Sequence, residues 1–102
     1  MNHKLVYSPE AVMDLEEIVK FHVTHVGVAS GRTIYATMKE TIAKLETFPL
    51  VGQTHPDPVL ASNGFRKLVI KSPYVCVYKV FSNQVYIYRI VNGATDYPKL
   101  LR

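Results

Sequence analysis

The sequence predicts an α+β fold in the order β-α-α-β-β-β, with a helical hairpin packed on one face of a small antiparallel sheet of about four strands. Three observations carry this expectation. Two apolar stripes at helical spacing are bounded by Ser8-Pro9 and by Pro49. Three β-type runs then follow, Phe65–Ile70, Tyr74–Phe81 and Gln84–Val91, parted only by Lys71-Ser72-Pro73 and Ser82-Asn83. Connections so short can only fold the chain back antiparallel. Neither flank of the intervening segment carries a core of its own, so residues 1–102 are expected to form one domain, large enough to bury a core without staples.

Leu5-Val6-Tyr7 is short and β-prone, and it ends at Ser8-Pro9, an N-cap followed by proline at the first helical position, where its missing N–H costs nothing. Glu10 and Asp14 suit the opening turns of that helix. Ala11, Leu15, Ile18 and His22 recur along it, with Val12, Val19, Val23 and Val26 beside them, and Gly27 is the expected stop. Ser30 is the expected cap of the second helix, whose stripe is Ile34, Met38, Ile42 and Leu45, and Pro49 is expected to end it after Phe48. From Pro49 to Asn63 three prolines and one glycine without periodicity predict a long loop.

Charge divides the chain unevenly. Residues 1–51 carry five Lys/Arg against six acids, whereas residues 52–102 carry seven (Arg66, Lys67, Lys71, Lys79, Arg89, Lys99 and Arg102) against Asp57 and Asp96 alone. The sheet is therefore the cationic part, open both to a polyanionic or acidic partner and to the plain reading of a solvated surface. Within it, Arg66, Lys67, Lys71, Lys79 and Arg89 are the candidate target-binding residues; solubility and protection of a strand edge are the bland alternative. One cysteine, Cys76, lies mid-strand and suits a reduced, buried thiol. No apolar run reaches the length of a membrane span, and Met1-Asn2-His3-Lys4 leads into no signal-peptide core, so a cytoplasmic protein is expected.

The strands pose a problem of coverage. Tyr74, Cys76, Tyr78 and Val80 would share one face and Val75, Val77, Lys79 and Phe81 the other; in the last strand the sets are Val85, Ile87, Arg89, Val91 and Tyr86, Tyr88, Ile90. Both faces are substantially apolar, yet two helices cover only one. The other face is thus a candidate partner surface, against the plainer reading of ordinary β-propensity packing. His22 and His25 have a spacing that binds metal in other settings, but no third ligand converges with them, and His55 reads as a loop residue. No metal, cofactor or small-molecule substrate is expected.

In order and spacing, the chain resembles the RelE/ParE toxin superfamily of bacterial type II toxin–antitoxin modules. The residues that carry the likeness are Ser8-Pro9-Glu10-Ala11, Pro49-Leu50-Val51-Gly52, Phe65-Arg66-Lys67-Leu68, Ser72-Pro73-Tyr74 through Val80, and Val85-Tyr86-Ile87-Tyr88-Arg89 through Tyr97. The resemblance implies a neutralising antitoxin, encoded by the adjacent gene, whose C-terminal segment wraps the toxin. It also implies a plasmid-stabilising, growth-arresting role with either DNA gyrase or the ribosome and its mRNA as target. Where RelE-like nucleases place a strand lysine, a strand arginine, a tail arginine and a tail tyrosine, this chain has Leu68, Val75, Thr95 and Leu101, with Leu68 and Val75 expected to line the same active face. Arg66 alone fits the cationic position, and Tyr97 is the substitute for the tail tyrosine; these two would be catalytic only in a nuclease. The resemblance therefore leans to the ParE-like branch, which inhibits gyrase without a catalytic centre. The alternatives are a ribosome-dependent mRNA endonuclease and a non-catalytic basic module that contacts nucleic acid through Arg66, Lys71, Lys79 and Arg89.

Overall fold

In the computed structural model, which describes residues 2–102, strand β1 (Lys4–Tyr7) runs directly into helix α1 (Pro9–His25). Ser8 Oγ accepts the Ala11 N–H at 2.9 Å and donates to the Tyr88 carbonyl at 2.6 Å. The cap thus fastens the helix start to the sheet as well as satisfying an orphan donor. Helix α2 spans Val28–Ala43, and its N-cap is Gly27 rather than Ser30, which lies inside the first turn. Gly27 has φ +143°, a conformation that side chains resist, and it reverses the chain within two residues. The helices then meet closely at Gly31, where an added Cβ would collide with Val23. The second helix also ends earlier than Phe48: it tightens into a 3₁₀ turn over Lys44–Glu46, and Phe48 N–H still bonds back to Lys44 O at 2.9 Å.

The segment expected to be a loop contains two elements, β2 (Gln53–Thr54) and α3 (Pro58–Ser62). Asp57 caps α3, its carboxylate accepting Leu60 N–H at 3.1 Å, and Pro58 fills the first position as Pro9 does in α1. After β3 (Phe65–Lys71), β4 (Tyr74–Phe81) and β5 (Gln84–Asn92) the chain closes with one short helix, α4 (Pro98–Leu101). The sheet has five strands in the order β1-β5-β4-β3-β2. It is mixed rather than wholly antiparallel, because β1 pairs with β5 in parallel while the meander is antiparallel. None of the helices in the described residues is long and apolar enough to cross a membrane.

One face takes the hairpin. Ala11, Leu15, Ile34, Met38 and Ile42 bury themselves against Cys76, Tyr78, Val85 and Ile87. Cys76 is fully enclosed, and burial pushes its thiol pKa up. A bulge corrects the alternation expected in β5: Val77 faces Arg89 while Tyr78 faces Ile87, which makes Tyr88 the extra residue. Beyond it the side chains change sides, so Ile90 joins the hairpin core and Val91 joins Tyr88 on the opposite face. The bulge also brings Arg89 to Asp14 of α1, with two bonds of 2.7 and 3.0 Å, and Asp14 accepts Ile90 N–H at 3.0 Å as well. Asp14→Ala removes all three hydrogen bonds at a mostly buried site, and a loss of about 2 kcal/mol in a urea melt is expected. Asp14→Asn, which keeps an oxygen for Ile90, is expected to lose less.

The other face is not bare, contrary to expectation. Leu60 from α3 and Tyr97 and Leu101 from the C-terminal segment pack on Val75 and Val77, and all five are buried. A second, smaller core thus covers part of the face that two helices could not reach.

Candidate functional site

Two side chains of the sheet clamp the turn that leads out of the helical hairpin. Tyr78 is fully buried, and its hydroxyl donates to Pro49 O at 2.8 Å while accepting Gly52 N–H at 2.9 Å. Arg66, directly opposite Tyr78 in the register, donates from Nη1 to Gly52 O at 2.7 Å. Gly52 is needed here because a Cβ would come within 2.5 Å of the Tyr78 hydroxyl and 2.7 Å of Lys67 O. Burial raises the Tyr78 pKa, which keeps the hydroxyl protonated as a donor. The clamped turn presents Phe48, Leu50 and Val51 outward, 64, 62 and 61% exposed. Three large apolar side chains held in solvent by a buried network form a projection suited to contact with another protein.

A second constellation ties the C-terminal segment to the opposite face. His55 is buried between Asp57 N–H, which donates to Nδ1 at 3.0 Å, and the Tyr97 hydroxyl 2.7 Å from Nε2. With Nδ1 accepting, the proton sits on Nε2 and is donated to Tyr97 Oη. Arg102 grips Asp57 through Nε at 3.1 Å and through Nη2 at 2.5 Å. Burial lowers the His55 pKa below its ordinary 6.5, the Lys67 ammonium lowers it further, and the Asp57 carboxylate opposes them. The Arg102 hydrogen bond holds Asp57 below its ordinary 3.8.

Both shifts mean that the unfolded chain binds protons more tightly than the folded one. The His55 contribution is full above its ordinary pKa and is lost as pH falls below it; the Asp57 contribution goes only in stronger acid. Thermal melts are therefore expected to fall between about pH 7.5 and about pH 5.5, and His55→Gln is expected to flatten that slope. A wild-type melting temperature that is constant across the interval would contradict the assignment.

The five residues expected to form a target-binding patch are dispersed. Lys67 and Lys79 stand on the face away from the hairpin, beside Val77 and Phe65. Arg66 points to the clamp, Arg89 is paired with Asp14, and Lys71 borders a pocket between α1 and α2 with His22, Ser30 and Thr37. Leu68 and Val75 do not line one face: Leu68 packs on the hairpin core and Val75 lies in the second core. Strand geometry requires this, since the register pairs Leu68 with Cys76 and Val69 with Val75. Tyr97, the expected substitute for a tail tyrosine, is buried with its hydroxyl engaged by His55. His25 donates from Nδ1 to Phe21 O at 2.9 Å and stacks on the Phe21 ring, while His22 meets Tyr74 edge-on. Three or more metal-ligating side chains converge nowhere among the described residues.

Residues 5–97 match the family model described as ParE toxin of type II toxin-antitoxin system, parDE. Among solved structures, the chain is similar to one of the chromosomal ParDE TA system from P. aeruginosa, at 22% identity and TM-score 0.75 over 88% of this chain and 95% of that one. It is also similar to a chain of the E. coli DinJ-YafQ toxin-antitoxin complex, at 16% identity and TM-score 0.59 over 92% and 96%. YafQ from E. coli strain BL21(DE3) follows at 14% identity and TM-score 0.55 over 90% and 94%. At these identities the likeness is one of fold. No curated protein matches the chain.

Proposed function

Since the chain belongs to the family of ParE toxins of type II toxin–antitoxin systems, we propose that it arrests growth by binding DNA gyrase through a surface, without cleaving RNA, and that a cognate antitoxin from the adjacent gene neutralises it. The observation that carries the target proposal is the role of Arg66. A nuclease needs a free cation at the scissile phosphate and a group to move protons at the ribose. Arg66 instead holds Gly52 O, and what it helps to hold is the apolar turn of Phe48, Leu50 and Val51. An enzyme-inhibiting surface needs such a projection, with Lys67 and the rest of the cationic half to steer it toward a partner. The neutralising partner is supported by the family itself and by the DinJ-YafQ structure, which is a toxin-antitoxin complex.

Induction in cells separates the targets. The expected result is filamentous growth with arrested DNA replication, relieved when the neighbouring reading frame is co-expressed. Arg66→Ala is expected to weaken the arrest by loosening the turn, since a hydrogen bond from a charged group contributes about 1.5–3 kcal/mol. Primer extension that reveals translation-dependent cuts within codons, abolished by Arg66→Ala or Tyr97→Phe, would make the protein a ribosome-dependent ribonuclease instead.

A further inference from the structure

On the face turned away from the hairpin, one register row crosses four strands: Val6, Tyr86, Lys79 and Phe65. The bulge residue Tyr88 joins it, stacking on Phe65 with centroids 4.9 Å apart at 27° and on Tyr86 at 6.2 Å and 28°. Lys79 Nζ lies 5.3 Å over the Phe65 ring. The next row along holds Lys4, Gln84 and Phe81, with Phe81 69% exposed. Lys67, two residues beyond Phe65 on β3, completes the set.

Carboxylates do not offset these lysines. Among the described residues none of Lys4, Lys67 and Lys79 is in an ion pair; the acids that are paired meet other cations, Asp14 with Arg89, Asp57 with Arg102 and Asp96 with Lys99. A ladder of three rings with lysines at its flanks therefore occupies an unneutralised sheet surface. Protein partners reward apolar area with few lysines at its centre; here the lysines alternate with the rings. That alternation suits a ligand made of flat aromatic units joined by anionic links.

We propose that this face binds single-stranded nucleic acid, with unpaired bases stacking on Tyr86, at the end of the ladder that Tyr88 and Phe65 hold in place, and on Phe81, and the phosphates following Lys4, Lys79 and Lys67. Duplexes are poor ligands, because their bases already stack on one another and present no free faces. Neither stacking nor phosphate contact reads the sugar, so DNA and RNA strands bind alike. The surface uses no residue of the clamped turn and stands whether or not gyrase is the target.

The test is a fluorescence-anisotropy titration of the full chain against labelled oligo-dT, oligo-U and a DNA duplex of equal length. Single strands are expected to bind more tightly than the duplex. Tyr86→Leu is expected to weaken them by about 5- to 150-fold, from a stack contributing about 1–3 kcal/mol, whereas Tyr86→Phe, which keeps the ring, retains affinity. Lys79→Gln is expected to reduce the salt slope by about 0.7. Tyr86 is half-buried at the surface, so thermal melts of both variants verify that the fold persists. Equal affinity for duplex and single strand, an unchanged affinity of Tyr86→Leu, or no binding at low salt would each overturn the proposal.

Discussion

Gly52→Ala is expected to lower the melting temperature by about 15–20 °C, the consequence of losing about 3–4 kcal/mol. The added methyl would lie 2.5 Å from the Tyr78 hydroxyl, 2.7 Å from Tyr78 Cε1 and 2.7 Å from Lys67 O. Two of these neighbours belong to a fully buried ring and the third to the backbone of a paired strand, so none can yield cheaply. Relief requires the turn to leave the sheet, which breaks both bonds of the Tyr78 hydroxyl and the Arg66 contact. Tyr78→Phe alone is expected to cost about 1–3 kcal/mol, because Gly52 N–H is left buried without an acceptor. Combining it with Gly52→Ala is expected to cost less than the sum, since one of the three clashing atoms is then gone. Circular dichroism melts of the two single variants and the double variant measure this coupling.

Tyr97→Ala is expected to destabilise by about 3–4 kcal/mol, as large-to-small changes at buried aromatics do. Tyr97 is buried against Leu60, Val75, Val77 and Leu101, and its hydroxyl also accepts a hydrogen bond from His55 Nε2. Tyr97→Phe keeps the ring but leaves the buried His55 Nε2–H without its acceptor, so a smaller loss of about 1–3 kcal/mol is expected. The ratio of the two effects separates a structural anchor from a group that serves chemistry. A hydroxyl that serves chemistry would instead show a full loss of function in Tyr97→Phe with little change in melting. Hydrogen exchange provides a second readout: in Tyr97→Ala the amides of Leu100 and Arg102, which bond to Tyr97 O and Pro98 O, are expected to lose protection while those of α1 keep it.

Much of this architecture was legible because the chain marks its elements with local chemistry. Ser8-Pro9, the helical stripes and the two short turns act within a few residues, and the structure has them where sequence reasoning put them. The Asp57-Pro58 pair carried the same N-cap signal as Ser8-Pro9, and it identifies α3 in a segment otherwise read as loop. What could not be read depends on distance along the chain. The parallel pairing of β1 with β5 joins residues about eighty positions apart, and the β5 bulge shifts alternation without a glycine to announce it. The covering of the second face rests on Leu60, Tyr97 and Leu101 meeting in space, and on His55 and Arg102 reaching Tyr97 and Asp57. Composition correctly identified the sheet as the cationic half. It could not reveal that Arg89 is taken up by Asp14 and Arg66 by Gly52, because those partners are set by register and by the bulge.

Adding the purified protein to DNA gyrase in a supercoiling assay tests whether this toxin acts through a surface. Inhibition that saturates with toxin concentration, weakens in a Leu50→Asp, Val51→Asp variant that still folds, and is reversed by the protein of the adjacent gene is the expected result. Undiminished supercoiling at saturating toxin, with RNA cut on translating ribosomes by the same preparation, would contradict it.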